Sequence, residues 1–204
     1  MSRITCVTLA LALLAANPAS AQTAAPASAG NAGLGGPVVA GVCLLSREAI
    51  FANAKIGVAA STRLKQISDE AQVEVDAQRK PVDADVQAFQ KEAAKLTPEQ
   101  RTTRQQALAT RLQPVQQLAA QRSREIEATR NKGLQQISTE AQPVIAQVYR
   151  QRGCGLLIDR STVMGGNFAN DLTADVVKGL DAKVTTISLN RETLPPVAEG
   201  ATRP

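Results

Sequence analysis

The sequence predicts an α+β fold in which a long antiparallel helical hairpin projects from a small β-rich oligomerisation body. Two observations predict it. The stretch 47–152 of the 204-residue chain is polar, helix-favouring and poor in aromatic residues, and a short apolar segment flanks it on each side. A polar stretch of that length without a loop-rich interruption cannot form a globule. We therefore expect it to project as helices, with the two flanks forming the body.

The N-terminus is predicted to be a cleaved signal peptide. Arg3 precedes an apolar run at 7–16 that is too short to span a bilayer, and the small residues at 19–21 form a cleavage site. The mature chain is therefore expected to be exported. The predicted parts are a signal peptide (1–21), a flexible tether (22–36), the body (37–58 with 153–190), the hairpin (59–152, with its tip at 96–100) and a disordered tail (191–204).

The first part of the body is predicted to be a strand followed by a short helix. The continuous apolar run at 38–45 is typical of a buried strand, and Ser46 offers an N-cap oxygen for a helix that begins at Arg47. Gly57 is expected to loosen or break this helix before the long arm begins near Ala60.

The hairpin is predicted from a narrow apolar stripe on both of its arms, with a few slots on the returning arm filled by Arg, Thr or Gly. Such a stripe is typical of a coiled-coil seam. Its members are Leu64, Ile67, Ala71, Val75, Val82, Phe89 and Leu96 on the outgoing arm, and Leu108, Leu112, Val115, Ala119, Ile126, Ile137, Ala141, Val144 and Val148 on the returning arm.

The turn between the arms is predicted at Thr97. Thr97 is a favourable N-cap, Pro98 suits the first helical position, and Gln100 can complete a capping box. One helix therefore ends and another begins here, and a seam on both sides requires an antiparallel return. At 1.5 Å per residue the returning arm gives a prong of roughly 80 Å.

Two prolines inside the arms, Pro81 and Pro114, lie equally far from the turn. Each removes a helical hydrogen bond and kinks its helix. We hypothesise that the pair forms a joint in the prong. The alternative is that a long exposed helix tolerates each proline independently.

The C-terminal flank is predicted to complete the body. The run 153–159 is expected to be a strand, with 160–164 pairing back on it, and 184–189 is expected to be a last strand. Between them, Asn170 or Asp171 is expected to cap a helix at 172–180. Cys43 and Cys154 fall in two predicted strands of an exported chain, and the sequence leaves open whether they form a disulfide or two buried thiols.

Composition limits the function. The chain contains no His and no Trp, its two mature cysteines form no CxxC pair, and no glycine-rich phosphate loop is present. An enzyme is therefore the least favoured class, and no catalytic residue, metal or cofactor is expected. Scarce aromatics and export also argue against nucleic-acid binding.

Charge is uneven along the hairpin. The outgoing arm is balanced, whereas the stretch 98–152 carries nine basic and four acidic residues. Basic asymmetry favours acidic partners or an anionic surface such as a membrane or lipopolysaccharide, and ordinary solvation is the alternative. The candidate contact residues near the tip are Lys91, Lys95, Arg101, Arg104 and Arg111.

A body of about sixty residues rarely buries enough apolar surface to stand alone, so a homo-oligomer is expected.

The order of parts and the segments 55–58, 156–159 and 171–177 resemble the Skp/OmpH family of periplasmic chaperones. The resemblance implies a homotrimer whose prongs enclose unfolded outer-membrane β-barrel proteins in the periplasm without ATP. The prolines, the two cysteines and the tail beyond Ala182 depart from that family. The alternative is a structural coiled-coil protein of the cell envelope.

Overall fold

The structure, a computed structural model, describes residues 34–196. The predicted signal peptide, most of the predicted tether and residues 197–204 lie outside the described residues. The elements in chain order are β1 (Val42–Leu45), α1 (Arg47–Asn53), α2 (Lys55–Glu92), a 3-10 turn (Ala93–Lys95), α3 (Pro98–Gln151), β2 (Leu156–Asp159), a second 3-10 turn (Arg160–Thr162) and α4 (Thr173–Lys183). Long helices on a small sheet confirm the predicted α+β class.

The sheet joins the two flanks of the hairpin. β1 and β2 pair in parallel, with Val42 opposite Leu156 and Leu45 opposite Asp159. The intervening hairpin leaves the end of β1 and returns the chain to the start of β2, as a parallel pair requires. Asp171 adds a single bridge to Leu44.

The prediction that 160–164 pairs back on β2 is wrong. The chain curls instead into the 3-10 turn Arg160–Thr162. The carboxylate of Asp159 accepts hydrogen bonds from the backbone N–H and the hydroxyl of Ser161, at 2.9 Å and 2.7 Å. An aspartate that bonds its own backbone two residues on favours a turn over a strand.

The prediction that Gly57 breaks the helix is wrong. The break between α1 and α2 lies at Ala54. Ala54 has extended angles (φ −68°, ψ 143°), and the N–H of Lys55 donates to Asp181 on α4 at 2.7 Å. Gly57 is buried inside α2, where a Cβ would lie 1.9 Å from the carbonyl oxygen of Phe51. The glycine therefore permits a close approach of two backbones.

The hairpin turns at Thr97. Its hydroxyl accepts from the N–H of Gln100 at 3.3 Å, and the side chain of Gln100 accepts from the N–H of Thr97 at 3.1 Å, which forms a capping box with Pro98 in the first turn of α3. α4 begins at Thr173, whose N–H donates to the carboxylate of Asp171 at 2.8 Å.

Ion pairs between the arms keep one register along the hairpin: Glu74 with Arg122, Asp85 with Arg111, and Glu92 with Arg104. This register sets Pro81 opposite Val115 and Pro114 opposite Val82, and both valines are buried. The two prolines therefore lie at one level of the hairpin, and both helices continue through them. Of the predicted seam residues, Ala119 is exposed.

The prediction of a last strand at 184–189 is wrong, and so is the prediction of disorder for residues 191–196. Residues 184–196, which we call the strap, belong to no helix or strand. They leave α4 and follow the hairpin, where side chains of α2 and α3 bond them. Residues 184–190 therefore pack on the prong and not within a sheet of the body.

Candidate functional site

The base of the hairpin is closed covalently by Cys43 and Cys154. Cys43 is buried in β1, and Cys154 lies just before β2. Their Cα atoms are 5.8 Å apart, within the usual range for a disulfide, and the two sulfurs are bonded. The bridge holds together the two ends of a loop that contains the whole hairpin.

The cations predicted to act at the tip have unequal surroundings. Arg104 pairs with Glu92, Arg111 pairs with Asp85, and Nη2 of Arg101 donates to the carbonyl of Ala93 at 2.9 Å. The five side chains are exposed. The side chains of Lys91 and Lys95 form no ion pair or hydrogen bond within the described part of the chain. These two lysines are therefore the tip cations most available to an anionic partner.

The strap is held in part through its backbone. Side chains of the hairpin bond four main-chain groups of the strap: Arg63 to the carbonyl of Leu189 (3.0 Å), Thr129 to the N–H of Glu192 (2.9 Å), Gln121 to the carbonyl of Leu194 (2.6 Å) and Arg124 to the carbonyl of Pro195 (3.4 Å). Arg63 lies on α2 and the other three lie on α3, so both arms contact the strap.

One apolar side chain anchors the strap. Leu189 is 4% exposed and sits over Gly133 of α3. A Cβ on Gly133 would lie 3.2 Å from Cδ1 of Leu189, so the absence of a side chain there makes room for the leucine.

An ionic cluster around one buried carboxylate joins the strap to both arms. Glu125 of α3 is only 3% exposed, and its carboxylate accepts from Arg122 at 2.8 Å and from Gln121 at 2.9 Å. Arg191 of the strap reaches Glu74 of α2 at 2.8 Å and Glu125 at 3.5 Å. A buried carboxylate is stable only with such partners, so the cluster couples α2, α3 and the strap.

The cluster keeps both carboxyls ionised. Hydrogen bonds from Arg191, and then from Arg122, lower the pKa of Glu74 below its ordinary value. Burial alone would raise the pKa of Glu125, but the hydrogen bond from Gln121 and the charge and hydrogen bond of Arg122 outweigh burial and lower that pKa. Both glutamates therefore remain negative opposite Arg191 at neutral pH.

Sequence reasoning missed this cluster and the strap's contacts. A signal was present, because slots of the returning seam hold Arg122, Thr129 and Gly133 where apolar residues were expected. In the structure, Arg122 binds the cluster, Thr129 accepts from the strap and Gly133 receives Leu189. The positions of the returning seam that lack an apolar side chain thus mark where the strap packs on the hairpin.

Within 34–196, no group of three or more His, Cys, Asp or Glu side chains is arranged to hold a metal ion. None of the helices in that range is both long and apolar enough to cross a membrane.

The chain matches known proteins in family and in fold. Residues 41–180 match the model of the family described as outer membrane protein (OmpH-like). The crystal structure of an OmpH-like protein from Caulobacter crescentus CB15, described as a candidate outer membrane chaperone, is 31% identical and superposes with a TM-score of 0.64. The match covers 78% of this chain and 94% of that one. No curated protein matches significantly. The chain belongs to the OmpH-like family.

Proposed function

We propose that the chain is an ATP-independent holdase chaperone, exported to the periplasm by a cleaved signal peptide. In this proposal it binds unfolded outer-membrane β-barrel proteins and prevents their aggregation on the way to the outer membrane. The observation that carries the proposal is a long polar hairpin on a small body, in a chain of the OmpH-like family. A chaperone description of the Caulobacter crescentus protein supports it.

The surface of the hairpin suits this task. Its seam is buried or half-buried except at Ala119, and its outward faces carry Gln, Lys, Arg and Glu. Unfolded β-barrel chains aggregate through unpaired strand edges and apolar side chains. Polar prongs that surround such a chain would separate it from other copies without holding it in one fixed pose.

The body supports an oligomer, which the proposal takes to be a homotrimer. Its sheet has two strands, and β2 exposes 53% of Leu156. Val39 and Val58 are also largely exposed on the body. A small domain with open apolar surface gains stability when other copies cover it.

The function is tested by aggregation suppression. A urea-denatured outer-membrane β-barrel protein is diluted into buffer with and without the mature chain, in the absence of ATP, and light scattering is recorded. We expect scattering to fall as the chain is added and to stop falling once the oligomer matches the client in amount. Unchanged scattering at a several-fold excess would contradict the proposal and favour a structural coiled-coil protein of the envelope.

The tip cations are proposed to attract acidic clients or anionic membrane surface. Replacing Lys91 and Lys95 with Glu should weaken binding to vesicles of anionic phospholipid at least several-fold at low salt, because each lysine near such a surface contributes about 1 kcal/mol. Co-sedimentation measures the effect. The matched control, Lys178→Glu with Lys183→Glu, reverses two exposed charges on α4. Equal vesicle binding by both variants would show that the tip lysines make no specific contribution to binding.

The paired prolines are proposed to form a joint in the prong. Replacing Pro81 and Pro114 with Ala restores two helical hydrogen bonds at one level, so the outer hairpin should become less mobile. Spin labels near the tip and near the strap would report mobility on the two sides of that level. We expect the tip label alone to become less mobile. Unchanged mobility of that label would contradict the joint and indicate that each proline is tolerated independently.

A further inference from the structure

The strap has the composition of a β-strand but lies on helices. Residues 184–189 read Val-Thr-Thr-Ile-Ser-Leu, which is rich in β-branched side chains. Nothing in the described range pairs with them as a strand. A segment of strand-like composition therefore lies on the hairpin, and side chains of α2 and α3 bond its last residue, Leu189, and the strap residues that follow it.

The hairpin binds groups that any polypeptide has. The bonds from Arg63, Thr129, Gln121 and Arg124 all end on main-chain N–H or carbonyl groups of the strap. Between the levels of Gly133 and Gln121 α3 rises about 18 Å. The chain from Leu189 to Leu194 follows this part of α3, with Thr129 binding Glu192 and the side chain of Gln121 reaching Leu194. The hairpin thus binds a chain that is neither helix nor paired strand, and it does so partly through main-chain groups.

Side chains of the strap add an apolar anchor, the cation of Arg191 and the carboxylate of Glu192, which pairs with Lys132 of α3 at 2.6 Å. Leu189 lines a groove of about 510 Å³, together with Phe51, Leu64, Leu134 and Ile137. Other apolar side chains could replace the leucine, because the groove beside it has spare volume. Arg191 adds a charge contact with Glu74 and Glu125.

We propose that this face of the hairpin is a binding site for extended, strand-like polypeptide, and that the strap occupies it as an internal competitor. The inference rests on the proposed function, which supplies the ligand: a segment of an unfolded outer-membrane β-barrel protein, whose strands alternate apolar and polar residues. The family model ends at residue 180, so the strap lies outside the matched range. A client segment would bind the hairpin by displacing the strap.

Competition from the tethered strap determines how binding at this site must be tested. A tethered segment acts at an effective concentration in the millimolar range, so a free peptide competes poorly against the intact strap. The strap is released in the full chain by Leu189→Ser with Arg191→Glu, which removes the anchor and sets a negative charge against Glu74 and Glu125. The control, Thr185→Asp with Asn190→Glu, makes the same change in net charge at exposed strap positions without a hydrogen bond or ion pair to the rest of the described chain.

The probe is a fluorescent peptide with the sequence of residues 184–196, and fluorescence anisotropy measures its binding. We expect the released variant to bind the peptide at least about tenfold more tightly than the wild type or the control. A urea-denatured β-barrel protein should then displace the peptide. Should the double variant lose its helical circular dichroism, Arg191→Glu alone takes its place.

Two results would overturn the inference. In the first, the released variant binds the peptide no better than the wild type. In the second, the peptide binds but the β-barrel protein does not displace it, so that the face serves the strap alone. The wild-type aggregation assay separates this failure from failure of the proposed function, because the aggregation assay does not depend on the strap being released.

Discussion

Loss of the disulfide should lower the free energy of unfolding by about 4–5 kcal/mol. Cys43 and Cys154 are separated by 111 positions, and a cross-link over a loop of that length removes much entropy from the unfolded chain. Replacing both cysteines with Ser removes this constraint while leaving β1 and β2 free to pair. The measurement is the urea unfolding midpoint, taken at one fixed chain concentration because an oligomer's stability depends on it.

The control for this prediction is reduction of the wild type. A reductant should lower the wild-type midpoint to near that of the double Ser variant and leave the variant unchanged. A wild-type midpoint that does not respond to reductant would show that the bridge does not contribute as argued.

Replacing Gly57 with Ala should destabilise the body by about 3 kcal/mol, although alanine favours helices. The new methyl group would lie 1.9 Å from the carbonyl oxygen of Phe51, and that atom belongs to the backbone of α1. Relief therefore requires α1 and α2 to separate, with loss of packing around Ile50 and Ile56, both of which are buried. Thermal or urea unfolding measures the change.

Gly155→Ala is the matched control, since it adds the same methyl group to another glycine. There the nearest atom, the carbonyl oxygen of Gly41, lies at 3.6 Å, which is an ordinary contact. We expect that variant to change stability by less than about 1 kcal/mol. If the two alanine variants behave alike, the close approach at Gly57 is not what stabilises the junction.

Local rules predicted the parts of the fold that local contacts determine. Thr97, Pro98 and Gln100 place the turn because a capping box is formed by residues within one helical turn of each other. The seam placed most of the buried residues of α2 and α3 because a narrow apolar stripe has few other uses on a long helix. Ser46 likewise caps α1 with its own side chain.

The wrong or missing predictions concern positions whose structure depends on residues distant in the sequence. Glycine commonly breaks a helix, but Gly57 lies inside α2, where the backbone of Phe51 passes too close for any side chain. The composition of 184–189 is typical of a strand, yet the segment pairs with no strand of the described chain, and Arg63 of the hairpin binds the carbonyl of its last residue, Leu189. Arg191 could not be placed in the ionic cluster from the sequence, because Glu74 and Glu125 are brought to it only by the folded hairpin.

The central claim is that an oligomer of this chain encloses an unfolded β-barrel protein, and the mass of the complex tests it most directly. Native mass spectrometry of the mature chain, alone and after dilution of a denatured β-barrel protein into it, gives the number of copies and the stoichiometry together. We expect a homotrimer for the chain alone and a complex of three chains with one client after the β-barrel protein is added. A mass that stays the same while the client precipitates would contradict it.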